Sequence, residues 1–287
     1  MHIWAHRGCS QMYPENTLTA FEKAMNVPGL AGIELDVQIT RDGELVVIHD
    51  ERVDRTTDGY GFVRDYSLSE LKKFHIYTGT DKIEQIPTMR EVFELLSPKL
   101  KAWSKDASSA AGAAGNTASN GIRLNIELKN SIYDYPGLEE KIVEMVHEFG
   151  VHDAIVYSTF YADSPRKVHE LDPKAELGVL DTKVSDCLYK AQGLEATFRG
   201  ADGSFAQESG TSGAGTDNAD DTFTFALHPF GKATDIPADR FKGRTVRGWF
   251  SGHLFPENPT GSMMDFEPLA KAGITDVFLN EPERYLI

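Results

Sequence analysis

The chain of 287 residues is 40% hydrophobic and 25% charged, enough apolar material for one domain of ~250 residues with insertions or for two smaller ones. Its formal net charge of −15 disfavours sequence-independent binding to nucleic acid and tight adsorption to anionic membranes, although a local basic pocket can still take a phosphate. Two cysteines, Cys9 and Cys187, make no disulfide framework, no apolar run approaches the ~18 residues of a membrane span, and no signal-like segment precedes the first strand, so free thiols and a cytoplasmic location are expected.

In chain order, His2-Ile3-Trp4-Ala5 reads as a strand ending at His6-Arg7-Gly8. Tyr13-Pro14-Glu15-Asn16-Thr17 carries loop chemistry before the apolar stripe of Leu18, Ala20, Phe21, Ala24 and Met25 begins a helix. Asn16 or Thr17 is expected to cap that helix, and a part in shaping a site is the alternative. From 32 to 39, Ile33, Leu35, Val37 and Ile39 alternate with Glu34, Asp36 and Gln38. Both carboxylates therefore project from one side of a strand, close enough to share a hard cation. An Asp-Gly turn at 42–43 leads to a second strand ending in His49-Asp50, which sets a titratable proton donor beside those acids. Residues 51–86, turn-rich with a capped helix at 67–71, read as a small insertion after a strand's carboxyl end, and a helix at 89–96 follows.

Two stretches of small residues without apolar period, 104–121 and 200–221, are expected to be flexible surface loops. Between them, 123–129 reads as a strand with Asn125, Glu127 and Lys129 on one side, followed by a helix at 138–149 and a strand at 154–158. A helix near 165–171, a strand at 176–179 and a helix around 184–191 come next, then strands at 223–228 and 246–250, a helix at 266–272 and a last strand at 277–279. About eight strands separated by helices predict a TIM (β/α)8 barrel spanning 1–287 as one domain. An open doubly wound sheet is the alternative, although no Gly-rich loop follows the first strand. A barrel gathers its strand ends at one mouth, so His6, Glu34, Asp36, His49, Glu127 and Lys129 are expected to converge there. Singly, each acid reads more often as a solvated or paired structural carboxylate, and each histidine reads also as a satisfied core residue. Three strands that each end in an inward charged residue, where apolar core belongs, have no such structural explanation.

The series Ala5-His6-Arg7-Gly8, Pro14-Glu15-Asn16-Thr17, Gly32-Ile33-Glu34-Leu35-Asp36-Val37 and Val46-Val47-Ile48-His49-Asp50 resembles the glycerophosphodiester phosphodiesterases. Thr57-Asp58-Gly59, Ile86-Pro87-Thr88, Asn125-Ile126-Glu127-Leu128-Lys129 and Ser158-Thr159-Phe160 extend the resemblance, which is dense to about Lys129 and weaker beyond. It implies a TIM barrel with a small subdomain inserted after the second strand, and hydrolysis of a glycerophosphodiester to sn-glycerol 3-phosphate and an alcohol such as choline or ethanolamine. It also implies Glu34, Asp36 and Glu127 as ligands of one divalent cation, Mg or Ca, an ion that oxygen-only ligands suit. His6 and His49 are implied as the catalytic pair, with His6 expected as base and His49 as acid, and Arg7 and Lys129 beside the phosphate. The expected partner is a small glycerophosphodiester, with no nucleic acid and no stable membrane association.

Two departures fall in the second half. Trp249-Phe250-Ser251-Gly252 keeps only the Trp of the family's Trp-Thr-Val-Asn strand, and Asn280-Glu281-Pro282 stands where Thr-Asp-x-Pro is usual. Both bear on the alcohol end of the substrate. Trp249 is expected either to stack on substrate or to fill the barrel, and His228-Pro229 either to line the mouth or to end a strand. The alternative functions are a phosphodiesterase of lysophospholipids or phosphoinositides, and a non-catalytic glycerophosphodiester-binding protein. The last is disfavoured because every acid and histidine of the set is present.

Overall fold

A computed structural model of the chain describes residues 1–103, 120–198, 223–231, 234–259 and 261–286. The small-residue stretches at 104–121 and 200–221 therefore lie outside the described residues, apart from Asn120 and Gly121. The strands are β1 (His2–His6), β2 (Gly32–Ile39), β3 (Leu45–Val47), β4 (Arg123–Leu128), β5 (Ile155–Thr159), β6 (Glu176–Asp181), β7 (Ala226–Pro229), β8 (Arg247–Trp249) and β9 (Asp276–Leu279). All but β3 run parallel, in the spatial order β7-β6-β5-β4-β2-β1-β9-β8. Parallel bridges from Leu227 to Val246 and from Phe230 to Trp249 bring β7 against β8 and close the barrel. This is the expected TIM barrel, and closure rules out the open sheet. β3 pairs antiparallel with the carboxyl end of β2, Val47 opposite Val37.

Helices α1 (Leu18–Ala24), α2 (Leu68–Leu71), α3 (Met89–Lys101), α4 (Leu138–Phe149), α5 (Asp163–Leu171), α6 (Val184–Phe198) and α7 (Glu267–Lys271) fill the connections among the described residues. α3 starts where the Thr88 and Glu91 side chains cap each other's backbone N–H groups, and it buries Met89, Val92, Phe93, Leu96 and Leu100 at helical spacing. Against these stripes the strands turn Ile33, Leu35, Val37, Leu124 and Ile126, the centre of the main apolar core. All eight residues of β2 are buried. One face meets the helices and the other looks into the barrel, so Glu34, Asp36 and Gln38 are buried polar groups that need partners. Val46, Ile48, Val53, Val63, Leu71, Ile76 and Ile86 form a second apolar cluster beside the barrel mouth. β7 begins at Ala226 rather than 223: the Phe223 ring lies 4.8 Å from that of His169 and 5.1 Å from that of Phe225, capping the end of α6 instead of extending the sheet. Among the described residues no helix is long and apolar enough to cross a membrane.

Inside the barrel, Trp4, Val156 and Phe278 form an apolar plug, with Trp249 packed on it. Toward the amino ends of the strands, Glu176 accepts hydrogen bonds from Arg123 at 2.7 Å and Arg247 at 2.6 Å, and Asp276 accepts from Trp4 Nε1 at 2.8 Å. Burial pushes Glu176 up, but the two arginines outweigh it and hold the carboxylate well below its ordinary range. The acids at this end are thus neutralised by the chain itself. At the opposite end three clustered acids, Glu34, Asp36 and Glu127, meet two cations, Arg7 and Lys129.

Candidate active site

β1 delivers His6 to the carboxyl rim, and Gly8 turns the chain there. Gly8 has φ +81°, and a Cβ on it would come within 2.7 Å of the Ala20 backbone, so only glycine fits against α1. The turn places Arg7 and Asn16 in the left-handed region, at φ 56° and 57°. These two strained residues hold each other and the acids: Asn16 N donates to Arg7 O at 3.1 Å, Arg7 N donates to Glu34 Oε2 at 3.0 Å, and Asn16 Nδ2 donates to Asp36 Oδ2 at 2.8 Å. Thr17, not Asn16, caps α1, its hydroxyl accepting from Ala20 N at 3.2 Å. The two roles left open for this pair are therefore divided between them.

Parallel pairing of β2 with β4 sets Asp36 opposite Glu127. One oxygen from each of Glu34, Asp36 and Glu127 lies within 4.8 Å of the others. Lys129 Nζ reaches Glu127 Oε1 at 2.9 Å and Asp36 Oδ1 at 3.9 Å, and Arg7 Nε lies 3.3 Å from Asp36 Oδ2. Burial, then the charges of Asp36 and Glu127, push Glu34 well above the ordinary carboxylate range. Asp36 is driven the other way: burial raises it, but His49, Arg7, Lys129 and Asn16 outweigh that and keep it ionised. Asp36 Oδ1, fully buried, has no hydrogen-bond partner. Three clustered carboxylates, one forced toward its neutral form and one with an orphaned oxygen, fit a divalent cation, which would restore Glu34 to its charged form. The acidic triad could bind such a metal, and the oxygen-only donor set suits a hard ion.

The two histidines flank this cluster in different settings. His6 Nδ1 lies 2.6 Å from Asn280 Oδ1, while Asn280 Nδ2 donates to His253 O at 2.8 Å. Burial, then the Arg7 charge, pushes His6 down to about 3. His49 stands on the loop after β3, its Nδ1 2.7 Å from Asp50 Oδ1. That loop is tied down by Gln38, whose Nε2 donates to the carbonyls of Ile48, His49 and Asp50 at 3.1, 3.2 and 2.7 Å. Asp50 is pushed up by burial but held well below the ordinary range by hydrogen bonds from His49 and Arg55.

His6, Arg7, Glu34, His49, Glu127 and Trp249 line one cavity, and Asp36 and Lys129 adjoin it through their contacts with Arg7 and Glu127. All eight sequence-derived site residues are thus brought together. Trp249 fills the barrel, packing on the apolar plug, and it also lines the cavity, with Nε1 donating to His228 O at 3.1 Å. Sequence reasoning missed Arg55, Asp50, Gln38 and the role of Asn280. Arg55 left no signal, whereas Gln38 stands as the third inward polar residue of β2, Asp50 beside His49, and Asn280 as a departure from the family's closing motif.

His228 also lines the cavity from β7, fully buried, with Nε2 3.3 Å from Arg247 Nη1. Gly178 makes room for it, since a Cβ there would come within 2.5 Å of Nε2. Burial, then Arg247, pushes the ring down to about 3 from 6.5. The folded chain keeps His228 neutral, whereas the unfolded chain binds a proton below pH 6.5. Its contribution to stability is therefore full above that pH and falls as pH drops toward 3, by about 1.4 kcal/mol per unit. Urea unfolding from about pH 6 to 5 should show this extra slope in the parent relative to His228→Gln; parallel lines for the two would overturn it.

A closed barrel whose carboxyl rim gathers a metal-competent acidic triad, an arginine, a lysine and two histidines has the layout of a hydrolytic TIM-barrel enzyme. Residues 6–213 match the model of the glycerophosphoryl diester phosphodiesterase family, and the chain belongs to that family. A Bacillus altitudinis protein named glycerophosphodiester phosphodiesterase is 42% identical over 185 residues, 63% of this chain and 67% of that one. A protein of the same name from Caldanaerobacter subterraneus is 42% identical over 185 residues, 62% of this chain and 65% of its own length. In both, the matched stretch spans about two thirds of the relative. Among solved structures, the Agrobacterium tumefaciens glycerophosphodiester phosphodiesterase superimposes with a TM-score of 0.64 at 20% identity, covering 100% of this chain and 99% of that one. An Oleispira antarctica phosphodiesterase in complex with the product sn-glycerol-3-phosphate gives 0.64 at 22% identity, over 99% and 94% of the two chains. At these identities the structures speak for the fold.

Proposed function

We propose that the chain hydrolyses glycerophosphodiesters to sn-glycerol 3-phosphate and an alcohol, with Glu34, Asp36 and Glu127 holding one divalent cation, Mg or Ca. The observation that carries this reading is the convergence of that triad, Arg7, Lys129 and two differently partnered histidines on one cavity. The relatives' names agree with it, as does the sn-glycerol-3-phosphate held by the Oleispira antarctica phosphodiesterase. When bound, the cation would supply charge neutralisation on the phosphate oxygens.

Arg7 and Lys129 are both held charged: burial works against each, but Asp36 outweighs it together with Glu15 at Arg7 and with Glu127 at Lys129. They bind the phosphoryl oxygens and offset charge that gathers there as the new P–O bond forms. The histidines divide by their partners. Asn280 offers His6 an uncharged amide oxygen, so Nδ1 carries the proton, the buried ring stays neutral, and Nε2 is free to accept a proton from the attacking oxygen. Asp50 offers His49 a carboxylate at Nδ1, which orients the ring so that Nε2 can give a proton to the departing alcohol as the other P–O bond breaks. One water is consumed, and both protons are accounted for. We also place the protein in the cytoplasm, where the buried free thiols Cys9 and Cys187 stay reduced.

The test is release of sn-glycerol 3-phosphate from glycerophosphocholine and glycerophosphoethanolamine with Mg, with Ca and with a chelator. Chelator-sensitive release from either substrate is expected. Turnover confined to lysophospholipids would move the substrate class, and saturable binding without turnover would make the chain a binding protein.

A further inference from the structure

Arg55 joins the two halves of the site. Its guanidinium makes four hydrogen bonds to two carboxylates: Nε and Nη2 to Asp50 at 2.6 and 3.0 Å, and Nη1 and Nη2 to Glu15 at 2.7 and 2.8 Å. Asp50 Oδ1 in turn meets His49 Nδ1, and Glu15 Oε1 accepts from Arg7 Nη1 at 2.9 Å. A continuous chain, His49, Asp50, Arg55, Glu15, Arg7, therefore runs from the expected acid to the expected phosphate ligand. We propose that Arg55 is a positioning residue that fixes the tautomer and direction of His49 and the pose of Arg7 together, through Asp50 and Glu15. This rests on the function proposed above.

The argument is one of rigidity. His49 and Asp50 side chains are 30% and 31% exposed and sit on a loop rather than a strand. An Asp–His pair that open to water is weak and can rotate away. A fork that grips both oxygens of Asp50 fixes the plane of the carboxylate, and with it the one ring nitrogen that can carry the proton toward it. The other end of the fork is anchored on Glu15, buried between two arginines, with its carboxylate held below the ordinary range: burial raises it, but Arg55 and Arg7 outweigh that. Arg7 needs such an anchor because its backbone is in the left-handed region. A lysine, a point charge on a flexible stem, cannot span two carboxylates in this way.

The experiment compares Arg55→Met, Arg55→Lys and Glu15→Gln with the parent, reading kcat and KM for glycerophosphocholine, cation affinity by calorimetry, and the His49 ring nitrogen shifts by NMR. Arg55→Met should lose about tenfold or more in kcat with cation affinity within about twofold, and His49 should pass from one Nδ1–H tautomer to an averaged pair. Arg55→Lys should not rescue it, whereas added guanidinium ion should restore part of kcat to Arg55→Met and none to the parent. Glu15→Gln weakens the anchor of Arg55 and the tie to Arg7 alike, so KM should rise and the His49 signals should move part of the way toward those of Arg55→Met. An unchanged kcat or unchanged His49 signals in Arg55→Met overturns the proposal. So do His49 signals in Glu15→Gln identical to those of the parent, which decides the matter if Arg55→Met does not fold. A parent without turnover would refute the proposed function instead, and the ring shifts, which need no substrate, would still decide the role of Arg55.

Discussion

Asp36→Asn should lower kcat for glycerophosphocholine by about 10³-fold and weaken the divalent cation by about 10-fold or more, while the chain still folds. Asp36 is fully buried and faces Asn16, Arg7 and Lys129 at 2.8, 3.3 and 3.9 Å. Asparagine keeps its shape, so the packing against β4 survives. What is lost is the negative charge that holds Arg7 and Lys129 in place and completes the triad with Glu34 and Glu127. Saturating Mg should not restore the rate, because the cation is only part of what Asp36 does. Glu176→Gln is the control, a half-buried acid held between two arginines at the other end of the barrel. It should cost stability, since two buried guanidinium groups lose their partner, and leave kcat close to that of the parent. Steady-state rates and cation titration read the difference; a kcat for Asp36→Asn within about tenfold of the parent would remove Asp36 from the site.

The contrast between those two acids also explains what could be read from the sequence. β2 announces itself because its inward face is polar where barrel cores are apolar, so Glu34, Asp36 and their partner Glu127 stand out as a pattern. His6 follows at the end of β1, and His49 on the loop two residues past the end of β3. Glu176, on an equally regular strand, gives no such signal, because the arginines that neutralise it sit 53 and 71 residues away. Pairing over that distance is set by barrel closure alone. Arg55 was hidden for the same reason: it lies in a turn-rich segment that carries no periodicity, and only the fold brings it between Asp50 and Glu15. Asn280 read as a departure from the family's closing motif, and its meaning appears only where β9 delivers it beside β1 and His6. The start of β7 was misplaced because Phe223 and Phe225 alternate like strand residues yet are claimed by the aromatic cluster at the end of α6.

His49→Ala should reduce kcat for glycerophosphocholine by about 10²–10⁴-fold with cation binding retained, since His49 is no part of the acidic triad. His6→Ala should be as damaging on that substrate, so the loss alone does not separate acid from base. The leaving group does. Choline departs as a poor leaving group that needs a proton, whereas a nitrophenolate departs without one. If His49 is the acid, the defect of His49→Ala should shrink to about tenfold on a nitrophenyl ester of glycerol phosphate. The defect of His6→Ala should persist there, because the attacking oxygen must still lose its proton. The proposed asymmetry rests on the partners of the two rings: an amide oxygen and deep burial keep His6 neutral, while His49 faces a carboxylate clamped by Arg55. Equal defects for both variants on both esters would reject the division of roles, and a defect that shrinks for His6→Ala instead would reverse it.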